Sequence, residues 1–343
     1  MSKQHEITKP KKLLNEQGNI VDPGWSQYLF AKYRREDIKV SKLRIKEWDY
    51  YLITNGHIGL ALTIADNGYM GMDSFSFLQF DQGWEITKSP MRIMPLGKTG
   101  LPNTSVKGDS QIKSKDYFIS IKNDGKGKRI IDFQMKNFKR YRDIEGHIVL
   151  SDEPDESMVI ATPFKKNKHF YYNQKINCMR AEGEVKLGNN SYSFNPKDSF
   201  GTLDWGRGVW TYHNTWYWGS ASGEVEGVPF GWNIGYGFGD TSAATENLLF
   251  YDGKVHKLDQ IEFHIPGNEK DFMSPWKFTS NDGRFEMDFV PVLDRSALTD
   301  FKILKSDQHQ VFGHFSGTAK LDNGKNIKIS DFFGFAEKVE NKW

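Results

Sequence analysis

Asp204-Trp205-Gly206-Arg207-Gly208-Val209-Trp210, continuing through His213 to Trp216-Tyr217-Trp218, holds the densest chemistry in this chain. Four of the ten Trp residues stand there beside one acid and one Arg. Trp favours burial with its N–H paired, whereas Asp and Arg are rarely buried unless paired. Together they describe a pocket with apolar walls and one charged point, the usual build of a small-molecule site.

Adding a proton to an alkene, for hydration or cyclisation, needs a protonated acid. A carboxyl among apolar rings is kept protonated because burial disfavours its charged form. The cation that forms needs π faces, which Trp supplies best. Asp204 with Trp205, Trp210, Trp216 and Trp218 has these parts. The competing reading pairs Asp204 with Arg207, or makes it a turn cap, and puts the indoles in the core. On one continuous strand Asp204, Trp210, Tyr212, Trp216 and Trp218 would share a face, with Arg207, His213 and Tyr217 on the other. Asn214 is expected to interrupt that register. Arg207 lies between two glycines, which admit close approach of backbone or ligand. It would clamp a carboxylate or phosphate on an apolar ligand, or form a buried structural pair.

Glu246 and Asn247 follow the Gly-rich stretch Gly235-Tyr236-Gly237-Phe238-Gly239-Asp240. Glu246 is read as a second acid, or a base for water, against a turn-holding role. Trp232, Trp276, His213 and Asn247 complete the candidate ligand contacts, with core packing the rival for Trp276. Lys46, Glu47, Trp48 and Asp49 are read as a contact between the two halves. The glycine series lacks the spacing and following helix of a dinucleotide loop. His57, His147, His213 and His314 are scattered without metal-ligand spacing, so no metal and no cofactor is expected. Gly219-Ser220-Ala221-Ser222-Gly223 has Ala where a nucleophile elbow needs Ser.

Such residues need a rigid frame, and composition points to strands. The 343 residues include 32 Gly and are 14% aromatic. Asn55-Gly56, Asn67-Gly68, Asp124-Gly125, Asp252-Gly253, Asp282-Gly283 and Asn323-Gly324 are tight hairpin turns. Only Ser26 to Arg35 is read as a short helix. The halves match in order. Trp48 and Trp218 each open an aromatic strand. Asn123-Asp124-Gly125 answers Asn281-Asp282-Gly283, and Gly146-His147 answers Gly313-His314. Two related antiparallel domains follow, 15–172 and 173–343, with the boundary near residues 170 to 178. Closing a sheet into a barrel removes its edges, and roughly eight to ten strands leave room for one small ligand. The fold class expected is all-β: two tandem lipocalin-like antiparallel barrels packed together, with two packed sandwiches as the alternative.

Net charge is +2, from 46 basic and 44 acidic residues, so nucleic acid is not an expected partner. Cys178 stands alone and excludes an internal disulfide. No apolar signal region or run of about 18 apolar residues occurs. A cytoplasmic protein without stable membrane insertion is expected; oligomeric state is left open.

The stretches Asp204–Trp210, Thr245-Glu246-Asn247-Leu248-Leu249-Phe250-Tyr251-Asp252-Gly253 and Arg44-Ile45-Lys46-Glu47-Trp48-Asp49-Tyr50-Tyr51 resemble a family called domain of unknown function 2804. That resemblance runs from about Gly18 to Lys338 and implies no established reaction. The chain is also distantly similar to the tandem lipocalin-like superfamily of carotenoid hydratases, kievitone hydratase, tocopherol cyclase and fungal Diels–Alder cyclases. The resemblance implies metal-free chemistry on isoprenoid or polyene substrates, within or between two barrels. Asp204, Trp205 and Gly206 match the Asp-Trp-Gly element of the hydratases, while Arg207-Gly208 and Thr245-Glu246-Asn247 differ from them.

The leading expectation is a barrel pocket for an apolar, lipid- or isoprenoid-like molecule. Cofactor-free hydration or cyclisation would use Asp204 as acid and Glu246 as second acid or base. A non-catalytic carrier and a carbohydrate-active β-protein are the rival classes. The sugar reading predicts an open groove with two carboxylates about 5–10 Å apart.

Overall fold

The computed structural model describes residues 4–300 and 305–342. It is almost wholly antiparallel strand. In the first sheet β1 (Ile45–Thr54), β2 (Ile58–Asp66), β3 (Met70–Gln79) and β4 (Trp84–Lys88) form one meander. β5 (Ser110–Lys113), β6 (Tyr117–Asn123), β7 (Arg129–Lys139) and β8 (Arg142–Ser151) form another, joined by β9 (Phe170–Leu187) and β10 (Phe200–Val209). The hydrogen-bonded order is β4-β3-β2-β1-β10-β9-β8-β7-β6-β5.

The second sheet comprises β11 (His213–Val225), β12 (Val228–Tyr236), β13 (Leu248–Tyr251), β14 (Lys254–Lys257), β15 (Ile261–His264), β16 (Trp276–Ser280), β17 (Phe285–Asp300), β18 (Lys305–Lys320) and β19 (Asn326–Lys342). Its order is β14-β13-β12-β11-β19-β18-β17-β16-β15. The sequence matches fall on equivalent places. Trp48 and Trp218 lie on β1 and β11, which each begin a meander. The Asn-Asp-Gly turns join β6 to β7 and β16 to β17, and Gly146 and Gly313 lie on β8 and β18. On that correspondence β10 is an additional strand of the first sheet, inserted between β1 and β9. The expected boundary at 172/173 falls inside β9, and the sheets themselves divide between Val209 and His213.

Each sheet curls round its own core, giving the tandem lipocalin-like barrels. In the first, Tyr117 on β6 donates to Asp73 on β3 at 2.9 Å, and Phe75 meets both Tyr117 and Phe133. The hairpins turn where the sequence marks them: Gly56 and Gly68 have φ of 84° and 79°, left-handed values that glycine takes without strain.

The helix expected over Ser26 to Arg35 does not form. Gly24–Ser26 pairs with Met158–Pro163, Ala31–Lys32 pairs in parallel with Lys11–Lys12, and a 3-10 turn follows at Arg35–Asp37. Tertiary partners overrode local preference here. Tyr33 enters the first core and donates to Glu47 at 2.7 Å, while the Tyr172 hydroxyl takes up the Ala31 carbonyl at 2.6 Å. Among the described residues no helix is long and apolar enough to cross a membrane.

The barrels meet through outer faces. Even-numbered residues of β1 and β10 point outward, as do Tyr171, Asn173 and Lys175 of β9. They meet Trp216, Trp218 and Ser220 of β11, and Phe335 and Glu337 of β19.

Candidate functional site

Side-chain alternation places Asp204 and Arg207 on opposite faces of β10. Arg207 is fully buried inside the first barrel. Its guanidinium donates to Asp49 at 3.0 Å and to the carbonyls of Trp48, Gly206 and Pro102, and lies over the Trp205 ring. Those donors tie β10 to β1 and to the loop at Pro102. Trp205 packs edge-on against Tyr33 and Tyr172 in the same core.

Asp204 faces the second barrel. Its carboxylate accepts from the Lys175 ammonium at 3.0 Å and the Asn173 amide at 2.6 Å. Strand register makes Lys175 the direct partner of Asp204, and Tyr50 its partner on the other side. The Lys175 ammonium also sits 3.6 Å from the centre of the Trp218 ring. A cation over indole is attracted by the ring quadrupole, so Lys175 links the two barrels.

Two further carboxyls converge from the second barrel. Trp218 donates to Asn233 at 2.7 Å, and Asn233 donates to the Glu246 carboxylate at 3.3 Å. Gly235 leaves the space Glu246 uses: a Cβ there would come 2.9 Å from Oε1. Glu337 accepts from Trp216 at 3.1 Å and from Gln310 at 3.3 Å. Burial pushes the Glu337 carboxyl up to about 7, against the Trp216 bond, Lys175 and Arg295, which favour its anion. Burial also raises Glu246, with Lys175 and Asn233 opposing and Asp204 adding to the rise. Among the described residues Lys175 is the one ion-pair partner of these three acids.

An aromatic wall borders the acids. Trp48 stacks on Tyr171 and meets Trp210 edge-on at 5.2 Å; Trp210, Trp216 and Phe238 all contact one another. Trp48, Trp216 and Glu246 keep partial exposure at this seam between the barrels. Farther along the same seam is a cavity of ≈ 10 Å³ lined by Leu52, Thr202, Ser220 and Phe335, among others. Each of these four lies two residues from Tyr50, Asp204, Trp218 or Glu337 on its strand. That volume suits about one water.

The structure therefore joins Asp204, Glu246, Trp210, Trp216 and Trp218 at one place. The other named candidates lie elsewhere. Trp232 is enclosed by Phe285, Phe315 and Phe332 in the second core, and Trp276 packs on Phe278 and Phe289. Asn247 holds backbone, accepting from Gly235 at 2.6 Å and donating to Asp259 at 2.7 Å. His213 is exposed beside Glu340. Among the described residues no group of three or more His, Cys, Asp or Glu side chains is arranged for a metal ion.

Lys175, Glu337, Asn173 and Gln310 were not singled out by sequence. A signal for them existed: Asn173, Lys175 and Asn177 recur at every second position just after the aromatic run Phe170-Tyr171-Tyr172, and Glu337 continues the row Phe333, Phe335.

The chain belongs to the family described as domain of unknown function (DUF2804), matched over residues 4–343. No curated protein matches it in sequence. It is similar in structure to kievitone hydratase from Nectria haematococca, with TM-score 0.51, 9% identity, and 97% of this chain and 98% of that chain covered. A protein from Nitrosomonas europaea named as an AttH candidate gives TM-score 0.51 and 10% identity, covering 89% of this chain and 95% of that chain. At such identities the likeness is one of fold.

Proposed function

We propose that this DUF2804 protein binds a largely apolar small molecule at the seam between its barrels and moves a proton on it, in hydration or cyclisation. The observation that carries this reading is the convergence of Asp204, Glu246 and Glu337 on Lys175 beside a wall of indole rings. A proton donor must hold its proton near neutral pH, and Glu337 meets that condition through burial. Glu246 is the second acid. Asp204, paired with Lys175, supplies negative charge where a cation would develop, and the Trp rings supply π faces. The water-sized cavity on the same seam offers a place from which water could add. Packed cores in both barrels support a ligand site between them over one inside either.

Native mass spectrometry of the purified protein should reveal a retained apolar molecule. Incubating the recovered molecule with protein in deuterated water should add deuterium at carbon, or the mass of water. Glu337→Gln should abolish that change while retention persists. Retention without any mass change would leave a carrier, and no retained or bound apolar molecule would defeat the reading.

A further inference from the structure

We propose that the ligand of the inter-barrel seam carries a protonated amine on its apolar body, with the N–H held at Asn173 and Asp204 and the charge among indole rings. This rests on the reading that the seam is a ligand site, and names the chemistry of the ligand.

Three independent features lead to it. The first is an orphaned acceptor. Asn173 is fully buried, its Nδ2 is used by Asp204, and its Oδ1 has no partner. A buried acceptor left unpaired costs free energy of desolvation, and an N–H from a ligand would remove that cost. Strand register places Asn173 opposite Gly206, which in turn is opposite Trp48. The acceptor and the half-exposed indole thus share one stretch of the outer face.

The second feature is charge. Asp204, Glu246 and Glu337 have one ion-paired cation among them, Lys175, with Arg295 and Lys257 acting from farther away. Burial is the largest cause of the upward displacement of Glu246 and Glu337, and the nearby cations oppose it. A cationic ligand would add a second positive charge beside Asp204 and favour the anions of the other two acids.

The third is the wall itself. Trp48 and Trp216, partly exposed, border the buried rings of Tyr171, Trp210 and Phe238. An ammonium group over the face of an exposed indole is attracted by its quadrupole. A carboxylate ligand would add a further acid to Asp204, Glu246 and Glu337, and a neutral donor would pair with Asn173 without adding positive charge.

The test compares three probes of one chain length on the full protein by isothermal titration calorimetry: N,N-dimethyldecylamine, decanol and decanoate. The amine is expected to bind about tenfold more tightly than decanol, and decanoate most weakly. Asp204→Asn should lower amine affinity by about tenfold and leave decanol unchanged. If decanol binds as well as the amine, the cationic ligand is refuted while the apolar site stands. If no probe binds, both readings fail. An amine preference unaltered by Asp204→Asn would overturn the placement of the charge. The wild-type comparison needs no variant to fold.

Discussion

Glu337 is the residue whose titration is coupled most directly to the fold. Its carboxyl is raised from 4.5 to about 7 by burial. Between those values the folded protein keeps a proton that the unfolded chain has released, so stability falls as pH rises through the window and levels off above about 7. The whole displacement corresponds to about 3 kcal/mol. The amide of a Glu337→Gln variant cannot titrate. Thermal unfolding of wild type and Glu337→Gln from pH 4.5 to 7.5 should therefore show wild type losing stability relative to the variant as pH rises. A constant difference across that range would contradict the assignment. The Asp204–Lys175 pair shows what residue type alone does not reveal. Asp204 is as buried as expected, but its neighbour across the strand is a lysine, and that partner comes from pairing alone.

At the scale of elements, β10 does two tasks with two faces. Trp205 and Arg207 fill the first barrel; Thr202, Asp204 and Gly206 face the second. Gly206 is required by contact, since a Cβ there would lie 1.9 Å from the Trp48 ring. Gly206→Ala must displace that indole. Overpacking of this kind costs about 1–3 kcal/mol, so the urea midpoint should drop, with a shift in Trp emission as Trp48 moves. An unchanged midpoint and spectrum would show that the indole has freedom the packing denies it. Alternation along the motif was legible from sequence for Asp204, Trp210, Trp216 and Trp218 on one side, with Arg207 and Tyr217 on the other. It failed at Tyr212, which is exposed because the chain leaves the first sheet after Val209 and enters the second at His213. Period two holds only within a strand.

The whole molecule is two barrels sharing a seam of aromatic and charged side chains, and its first sheet needs β10. A fragment of residues 1–172 ends inside β9 and leaves β1 without its neighbour. A fragment of residues 1–210 retains the entire first sheet. Urea denaturation should show a cooperative transition for the longer fragment and a broad, non-cooperative one for the shorter. Equal behaviour would mean that β10 is dispensable to the first barrel. In the intact chain, mutual burial of Tyr50, Leu52, Trp218, Phe312 and Phe335 couples the halves.

Local order set much of this architecture. Glycine turns, alternating aromatic strands and the recurring Trp, Asn-Asp-Gly and Gly-His landmarks specify an all-β tandem fold, because hairpin geometry depends on adjacent residues. The pocket chemistry was visible in outline, since indoles and acids crowd the β10–β11 region. Three matters rested on long-range pairing. β10 joined the first sheet, Glu246 and Glu337 reached Lys175 from the second, and Trp48, Trp210, Trp216 and Phe238 met across the two sheets. Which strands become neighbours depends on how complete faces bury one another, and residues far apart in the chain enter that balance only after the sheets have closed.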